Sequence, residues 1–539
     1  MTITPVFKVP DRPSGLQIST ADGKDQWWEG QQEAIGLIAN ALTRKKFVLA
    51  NMPTGAGKTL VATAVQHLLD LPSLVVTHSI MLQEQYQKTL AGAITATGRS
   101  NHKCELPSYA MVPDFSAKEA PCATMKADCI HMKPDGCSYY RMLHGVSSSG
   151  QVIANYAYAV RVVQPKRLKL FAGGTVGNPF RRSLLVCDEA HLAHDAIVGA
   201  VKVSFQRNQW KDCPAKPPWQ SADIEDWREW TKEAGPWLRQ QVADTMEHIQ
   251  SSDSASAAKT LARLQSREEA LSGLNAFKDS GCVFQSDERG ITIQPVWGKE
   301  IAGNFFRYFP RVLMMSATIG DPELFAWKLG IDMDEVTHFD IPSTFPKERR
   351  PVYFWPVAKL NRHSGDEEWE AVARAVEKIA SDPALKDKKG LIHSGSYRNA
   401  KRLGALLDRE RFLVQYQGGR GILEAFRKSS KPLVLISPSV GLGFDYPYAI
   451  GWQAIVKVPF GDLGDPVTKA RLDFKQGGDP IGRRDYDGEV MNRIIQASGR
   501  VMRAPDDSGV TFILDANYAM VHAKTPKPQF YTEAYRRMS

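Results

Sequence analysis

Seven consecutive residues, Pro53-Thr54-Gly55-Ala56-Gly57-Lys58-Thr59, are of the types that close a backbone loop around phosphate oxygens. Glycines let N–H groups point inward, and a helix starting after the loop adds its positive dipole end. Lys58 would reach the terminal phosphates and the Thr59 hydroxyl would ligate magnesium. The generic eight-residue pattern asks for glycine where Met52 stands, so lysine, threonine and context carry the match. Splitting a triphosphate also needs one carboxylate for the metal and one to align water. Asp188-Glu189-Ala190-His191 offers both: Asp188 for magnesium, Glu189 as general base, with His191 free to couple the site to a neighbouring segment. The chemistry implied is ATP hydrolysis.

A second constellation is Cys104, Cys122, Cys129 and Cys137, spaced C-x17-C-x6-C-x7-C. It lacks the paired two-residue spacing of zinc modules, and four thiolates suit tetrahedral zinc or a [4Fe–4S] cube, so spacing alone leaves the metal open. Cys187, Cys213 and Cys282 read as packing residues, and seven cysteines in 539 residues do not make a disulfide framework. His131 could replace a thiolate but is expected to be solvent-exposed or hydrogen-bonded instead, and Trp27 and Trp28 are expected to pack at the start of a domain.

The elements that must position these groups are short runs rich in Val, Leu and Ile. They cover 47–50, 74–76, 184–187 and 312–315 in the first half, and 390–392, 433–436 and 510–514 in the second. Several end at glycine, serine or an acidic residue, as strands of buried parallel sheets do when function sits at their carboxyl ends. Helical patterns at 59–69 and 398–407 follow two of them, so the fold class is α/β, doubly wound, twice over. Two stretches interrupt the alternation. Residues 100–149 hold the cysteines among prolines, and 193–304 open with tryptophans and prolines before turning helical, with a helix over 254–271.

Lys plus Arg number 68 against 59 Asp plus Glu, and the resulting +9 permits a polyanionic partner without establishing one. No apolar run is long enough to span a membrane and the first 19 residues lack a secretory apolar stretch, so a cytoplasmic location is expected.

At this point the residues carry a resemblance. Residues 53–59, 188–191, Ser316-Ala317-Thr318 and Gln496-Ala497-Ser498-Gly499-Arg500-Val501-Met502-Arg503 resemble motifs I, II, III and VI of superfamily 2 helicases. Cysteines between motifs I and II and a long insertion between II and III are similar to the XPD and DinG family of iron–sulfur helicases. Asn155-Tyr156, and Val458-Pro459-Phe460 followed by Asp465-Pro466, resemble the DinG branch.

The resemblance implies two RecA-like doubly wound parallel-sheet motor domains. The first would comprise 1–99, 150–192 and 305–340, and the second 341–539, with an iron–sulfur module at 100–149 and a helical arch-like insertion at 193–304. It implies that Gln31 reads adenine, that Thr54, Gly55, Ala56, Gly57, Lys58, Thr59 and Asp445 line the nucleotide, and that the four cysteines hold [4Fe–4S]. Gln496, Arg500 and Arg503 would act from the second domain, the arginines reaching the γ-phosphate on closure. Thr77, Ser79 and Gln83 look like motif Ia, Ser394 and Ser396 like motif IV, and Gly443 with Asp445 like motif V. The implied activity is ATP- and Mg2+-dependent 5′–3′ movement of a monomer on single-stranded or forked DNA. The alternative is an ATPase that removes proteins or opens RNA–DNA hybrids. Two departures stand out: Leu442 precedes Gly443 where the family has glutamate, and Asp515-Ala516-Asn517 replaces its Asp-x-Arg.

Overall fold

Apolar runs of four to six residues with both faces covered demand sheets sandwiched between helices. In the computed structural model, residues 7–18, 23–90, 92–163, 180–252, 254–277, 281–417, 420–438, 450–502 and 507–538 are described. Five strands come first: β1 (Phe47–Asn51), β2 (Ser73–Thr77), β3 (Ile94–Thr95), β4 (Gln151–Asn155) and β5 (Leu184–Cys187). Three more, β6 (Val203–Gln206), β7 (Cys282–Ser286) and β8 (Gly290–Pro295), lie in the second excursion. Then β9 (Arg311–Ser316) and β10 (Val336–Asp340) return to the first sheet, whose order is β10-β1-β9-β5-β2-β4-β3 with every pairing parallel. The later strands are β11 (Val352–Ala358), β12 (Gly390–His393), β13 (Phe412–Val414), β14 (Val434–Ser437), β15 (Trp452–Ile455), β16 (Val510–Asp515) and β17 (Tyr535–Arg537). They form a second parallel sheet of order β13-β14-β12-β15-β16-β11-β17. Two RecA-like halves thus follow one another along the chain.

Both excursions leave the first sheet. The cysteine-bearing one has only short helices, Pro107–Ala110 and Pro121–Thr124, before the helix Ser138–Ser148. The second carries the helices Ile224–Ser252 and Ala255–Gly273, the latter capped by Ser254, and packs Trp210, Trp227 and Trp230 around Phe205. The expectation of helix alone was incomplete: β6, β8 and β7 make a three-stranded antiparallel sheet under these helices. The excursions touch. Lys259 Nζ donates to the Pro113 carbonyl (3.0 Å), Gln265 Nε2 to that of Thr124 (2.5 Å), and Ala257, Ala258 and Leu261 share a core with Phe115 and Ala120.

The two halves meet over a polar seam. Lys328, on the helix Pro322–Lys328, donates to Asp485 (2.6 Å) and sits 3.9 Å from Glu489, both on the helix Ile481–Ser498 of the second half. Arg471 pairs with Asp195 at 2.9 Å, and Arg484 with Asp321 at 2.5 Å. Beside them the Trp297 ring packs edge to face on Trp327 and Phe474, which are tilted against each other.

Candidate nucleotide site

The loop after β1 bends where glycine is required. Gly55 and Gly57 have φ of +83° and +76°, and a Cβ on Gly55 would come within 3.0 Å of the Phe345 ring and 3.1 Å of the Met502 carbonyl. The helix Lys58–Leu69 starts directly after Gly57, so its free N–H groups face the loop. Gln31 is stapled to that loop: its Nε2 donates to the Ala56 carbonyl and its Oε1 accepts from the Trp28 N–H, both at 2.9 Å. Trp27, by contrast, is buried and donates to the Pro10 carbonyl (2.8 Å), a packing role as expected.

Asp188 and Glu189 follow β5, separated from β1 by β9 alone, which puts them at the same sheet end as the loop. Lys58 Nζ lies 3.8 Å from Glu189 Oε1. Glu189 has φ +47° and ψ +48°, a left-handed conformation that costs a non-glycine residue about 1–2 kcal/mol and is tolerated at sites the surroundings over-determine. Burial, and then the Glu189 charge, push the Asp188 carboxyl up to about 6, while Lys58 pulls it back. Thr59 and Asp188, both buried, supply hydroxyl and carboxylate oxygens, a donor set that fits magnesium. Tyr156, fully buried, donates to the Asp188 carbonyl (3.1 Å) and so fixes the backbone of the acid pair.

His191 carries the site across the domain boundary. Its Nδ1 lies 2.8 Å from Ser316 Oγ and its Nε2 2.7 Å from Gln496 Nε2, which also donates to Thr318 Oγ1 (3.0 Å). Motifs II, III and VI therefore share one chain of hydrogen bonds. Burial holds the imidazole down to about 4, so the 3.4 Å approach of Glu189 is to a neutral ring. Past Gln496, the turn Gly499–Val501 abuts the loop, and a Cβ on Gly499 would lie 2.8 Å from Thr54 Oγ1. Where Pro53, Thr54, Phe345, Gly499 and Met502 meet, a cavity of about 40 Å3 remains. That is far below the roughly 300–1,000 Å3 of a ligand pocket.

Arg500 sits on this turn, near enough to the buried His393 for its charge to help depress that imidazole after burial has done most of the work. Gln453, which the sequence reading passed over, anchors the turn by donating to the Ala497 (2.8 Å) and Ser498 (2.9 Å) carbonyls and to Thr511 (2.8 Å). Arg503, Gly443 and Asp445 lie outside the described residues. Motifs Ia and IV form a matched pair. Thr77 and Ser394 hydroxyls donate to the Ser79 and Ser396 carbonyls, and Ser79 and Ser396 cap the helices Ile80–Thr89 and Tyr397–Ala405. Asn517, standing where the family has arginine, donates to Asp515 and to the Leu360 carbonyl, both at 2.9 Å, and closes a turn.

In the cysteine module the thiols of Cys104, Cys122, Cys129 and Cys137 lie in mutual electrostatic range. Arg99 packs over the Tyr139 ring at 4.2 Å and donates to Cys122 Sγ (3.6 Å). Among the described residues no three His, Cys, Asp or Glu side chains converge at the spacing of a single metal ion. His194 accepts from the Gly298 N–H (3.0 Å) and is structural.

The fold is that of a two-domain RecA-like protein. Residues 24–113 match the family described as type III restriction enzyme, res subunit, and residues 384–528 the helicase C-terminal domain family. A 114-residue stretch is 29% identical to the general transcription and DNA repair factor IIH helicase subunit XPD/RAD3 of Saccharomyces cerevisiae, covering 20% of this chain but 14% of that relative. Among solved structures, one described as XPD helicase superposes with a TM-score of 0.59 at 15% identity, covering 95% of this chain and 99% of the other. Xpd4 of S. tokodaii gives 0.57 at 13% identity, covering 94% and 99%. The chain is thus similar to helicases over these two segments, and it shares the fold of the XPD structures.

Proposed function

We propose that this chain is an ATP-dependent motor that moves 5′ to 3′ on single-stranded DNA and opens forked duplexes. One observation carries the reading: the histidine of the acid box is hydrogen-bonded across the domain boundary to Gln496, so the hydrolytic groups of one domain register the position of the other. Lys58 takes the terminal phosphates, Glu189 receives the proton of the attacking water, and Thr59 with Asp188 holds magnesium. The metal, when bound, neutralises charge on the phosphate oxygens. Arg500 and Arg503 complete the site from the second domain, and Gln31 faces the base. The close approach of Gly499 to Thr54 means that nucleotide enters with the halves apart; their closure brings Arg500 and Arg503 to the γ-phosphate, and hydrolysis reopens the cleft. The capped helix starts at Ser79 and Ser396, one per domain at the carboxyl ends of β2 and β12, are suited to hold successive phosphates of one strand.

Cys104, Cys122, Cys129 and Cys137 would hold a [4Fe–4S] cluster. Four cysteine thiolates are the donor set such a cluster takes.

Lys58→Ala is expected to abolish DNA-stimulated phosphate release while leaving strand binding intact, and retained turnover would refute the site. Forks with 5′ or 3′ tails, tested beside RNA–DNA hybrids at one salt concentration, decide polarity and substrate. Iron and sulfide analysis after anaerobic purification decides the metal.

A further inference from the structure

A glutamine in the middle of a buried parallel strand is unfavourable unless both ends of its amide are hydrogen-bonded. Gln453 lies on β15, is 0% exposed, and bonds at both ends. The sheet supplies a neighbour on each side. On β16, Thr511 is its register partner, and on β12, His393 stands two residues past the register partner Leu391, hence on the same face. The Gln453 Nε2 donates to the carbonyls of Ala497 (2.8 Å) and Ser498 (2.9 Å) and to Thr511 Oγ1 (2.8 Å). Two carbonyls can only accept, so they fix which end of the amide faces them. Oε1 then points the other way, and His393 Nε2, 2.9 Å from it, carries the proton of that bond.

The place of these carbonyls gives the contact its meaning. Ala497 and Ser498 end the helix Ile481–Ser498, and the last carbonyls of a helix have no partner within it. The residues that follow, Gly499–Val501, form the turn that carries Arg500 and abuts Thr54 of the phosphate loop. We propose that Gln453, held from behind by His393, is a positioning residue for Arg500: by receiving the end of the helix it fixes the turn from which the guanidinium meets the γ-phosphate on closure. The inference rests on the nucleotide-site reading and extends it to two side chains of the second sheet. An arginine aimed at charge that develops during the reaction acts in the transition state, so the effect belongs to kcat and not to ATP binding.

Gln453→Leu keeps the approximate volume and removes both donors and the acceptor. Its DNA-stimulated kcat should fall about ten- to thirtyfold, with the KM for ATP and the oligonucleotide affinity within about twofold of the parent. His393→Phe leaves the three donations in place and should lower kcat about three- to fivefold. The decisive measurement is a double-mutant cycle under single-turnover conditions. Added to Arg500→Ala, Gln453→Leu should deepen the loss by less than about twofold, because its route to the reaction is already gone. Losses that multiply in the double variant overturn the inference, as does a kcat within about twofold of the parent in Gln453→Leu. So does a fall in kcat matched by equal weakening of ATP and oligonucleotide binding, the mark of a general packing fault. If Gln453→Leu does not fold, His393→Phe combined with Arg500→Ala is read by the same rule. Should Arg500→Ala itself keep the parent's kcat, the arginine assignment under the proposed function fails and takes this inference with it; an inactive Arg500→Ala beside an unaffected Gln453→Leu removes this inference alone.

Discussion

His191 can satisfy its neighbours in one protonation state. With Gln496 donating to Nε2, the proton must sit on Nδ1 and be given to Ser316 Oγ; a second proton would set donor against donor. Burial is the main force holding the ring down to about 4, the Glu189 carboxylate opposes it, and Lys58, His78 and Lys328 reinforce it. An unfolded histidine titrates near 6.5, so as pH falls from about 6.5 to about 4 the unfolded chain takes up this proton first. This contribution to stability is therefore complete above 6.5 and lost on acidification. Asp188, raised to about 6, acts in the opposite direction, so the difference between two proteins is the informative quantity. Replacing His191 with Gln should reduce the slope of unfolding free energy in that window by up to about 1.4 kcal/mol per pH unit. Equal slopes from denaturant titrations of the two would count against a neutral imidazole. At this scale the sequence brought out Lys58, Asp188 and His191, which the fold gathers around Glu189, because each type has a marked chemistry at that spacing. Gln453 was not legible, because glutamine in a strand carries no such mark.

Among elements, the paired motif Ia and motif IV turns have a simple energetic meaning. Ser79 Oγ accepts the Leu82 N–H (3.3 Å) and Ser396 Oγ the Asn399 N–H (3.1 Å), each satisfying one of the free donors at a helix start. Ser79→Ala and Ser396→Ala should each cost about 1 kcal/mol of stability, and together they should weaken strand binding more than nucleotide binding. Unfolding midpoints and fluorescence anisotropy on a labelled oligonucleotide would check both halves; equal losses for strand and nucleotide would remove these helix ends from the strand's path. All seven runs picked out in the sequence became strands, namely β1, β2, β5, β9, β12, β14 and β16, because parallel strands buried on both faces must be apolar throughout. Several of those that escaped lack that signature. β10 and β17 lie at sheet edges and are largely half-buried or exposed, and β6 reads Val203-Ser204-Phe205-Gln206, a period-two alternation masked by the helix formers around it.

For the whole molecule, the seam between the halves carries buried charge beside an apolar cluster. Lys328 is buried against Asp485 and Glu489, and although burial works against its charge the two carboxylates outweigh it and raise its pKa. Removing one partner of a buried ion pair typically costs about 3–5 kcal/mol, because the other charge is left uncompensated. Lys328→Met should therefore loosen the halves and expose a second, earlier calorimetric transition, with DNA-stimulated turnover falling in step. A single transition at the parent's temperature would show that the seam does not depend on this lysine. None of this was legible beforehand: Lys328 and Asp485 are 157 positions apart, and each alone looks like an ordinary surface charge. The RecA-like halves were visible because their motifs are local, whereas the seam exists only once the halves are docked.

The touch between the cysteine module and the helical insertion is modest. Among the described residues, two side-chain bonds to backbone carbonyls join the pieces beside a small shared apolar core. A latch of that strength parts without unfolding either piece and without stranding a buried charge. A bound polymer could then enter from the side instead of by its tip. Covalently circular single strands should accordingly stimulate turnover as well as linear ones of equal length, and a disulfide engineered across the latch should abolish the response to circles while sparing the response to free ends.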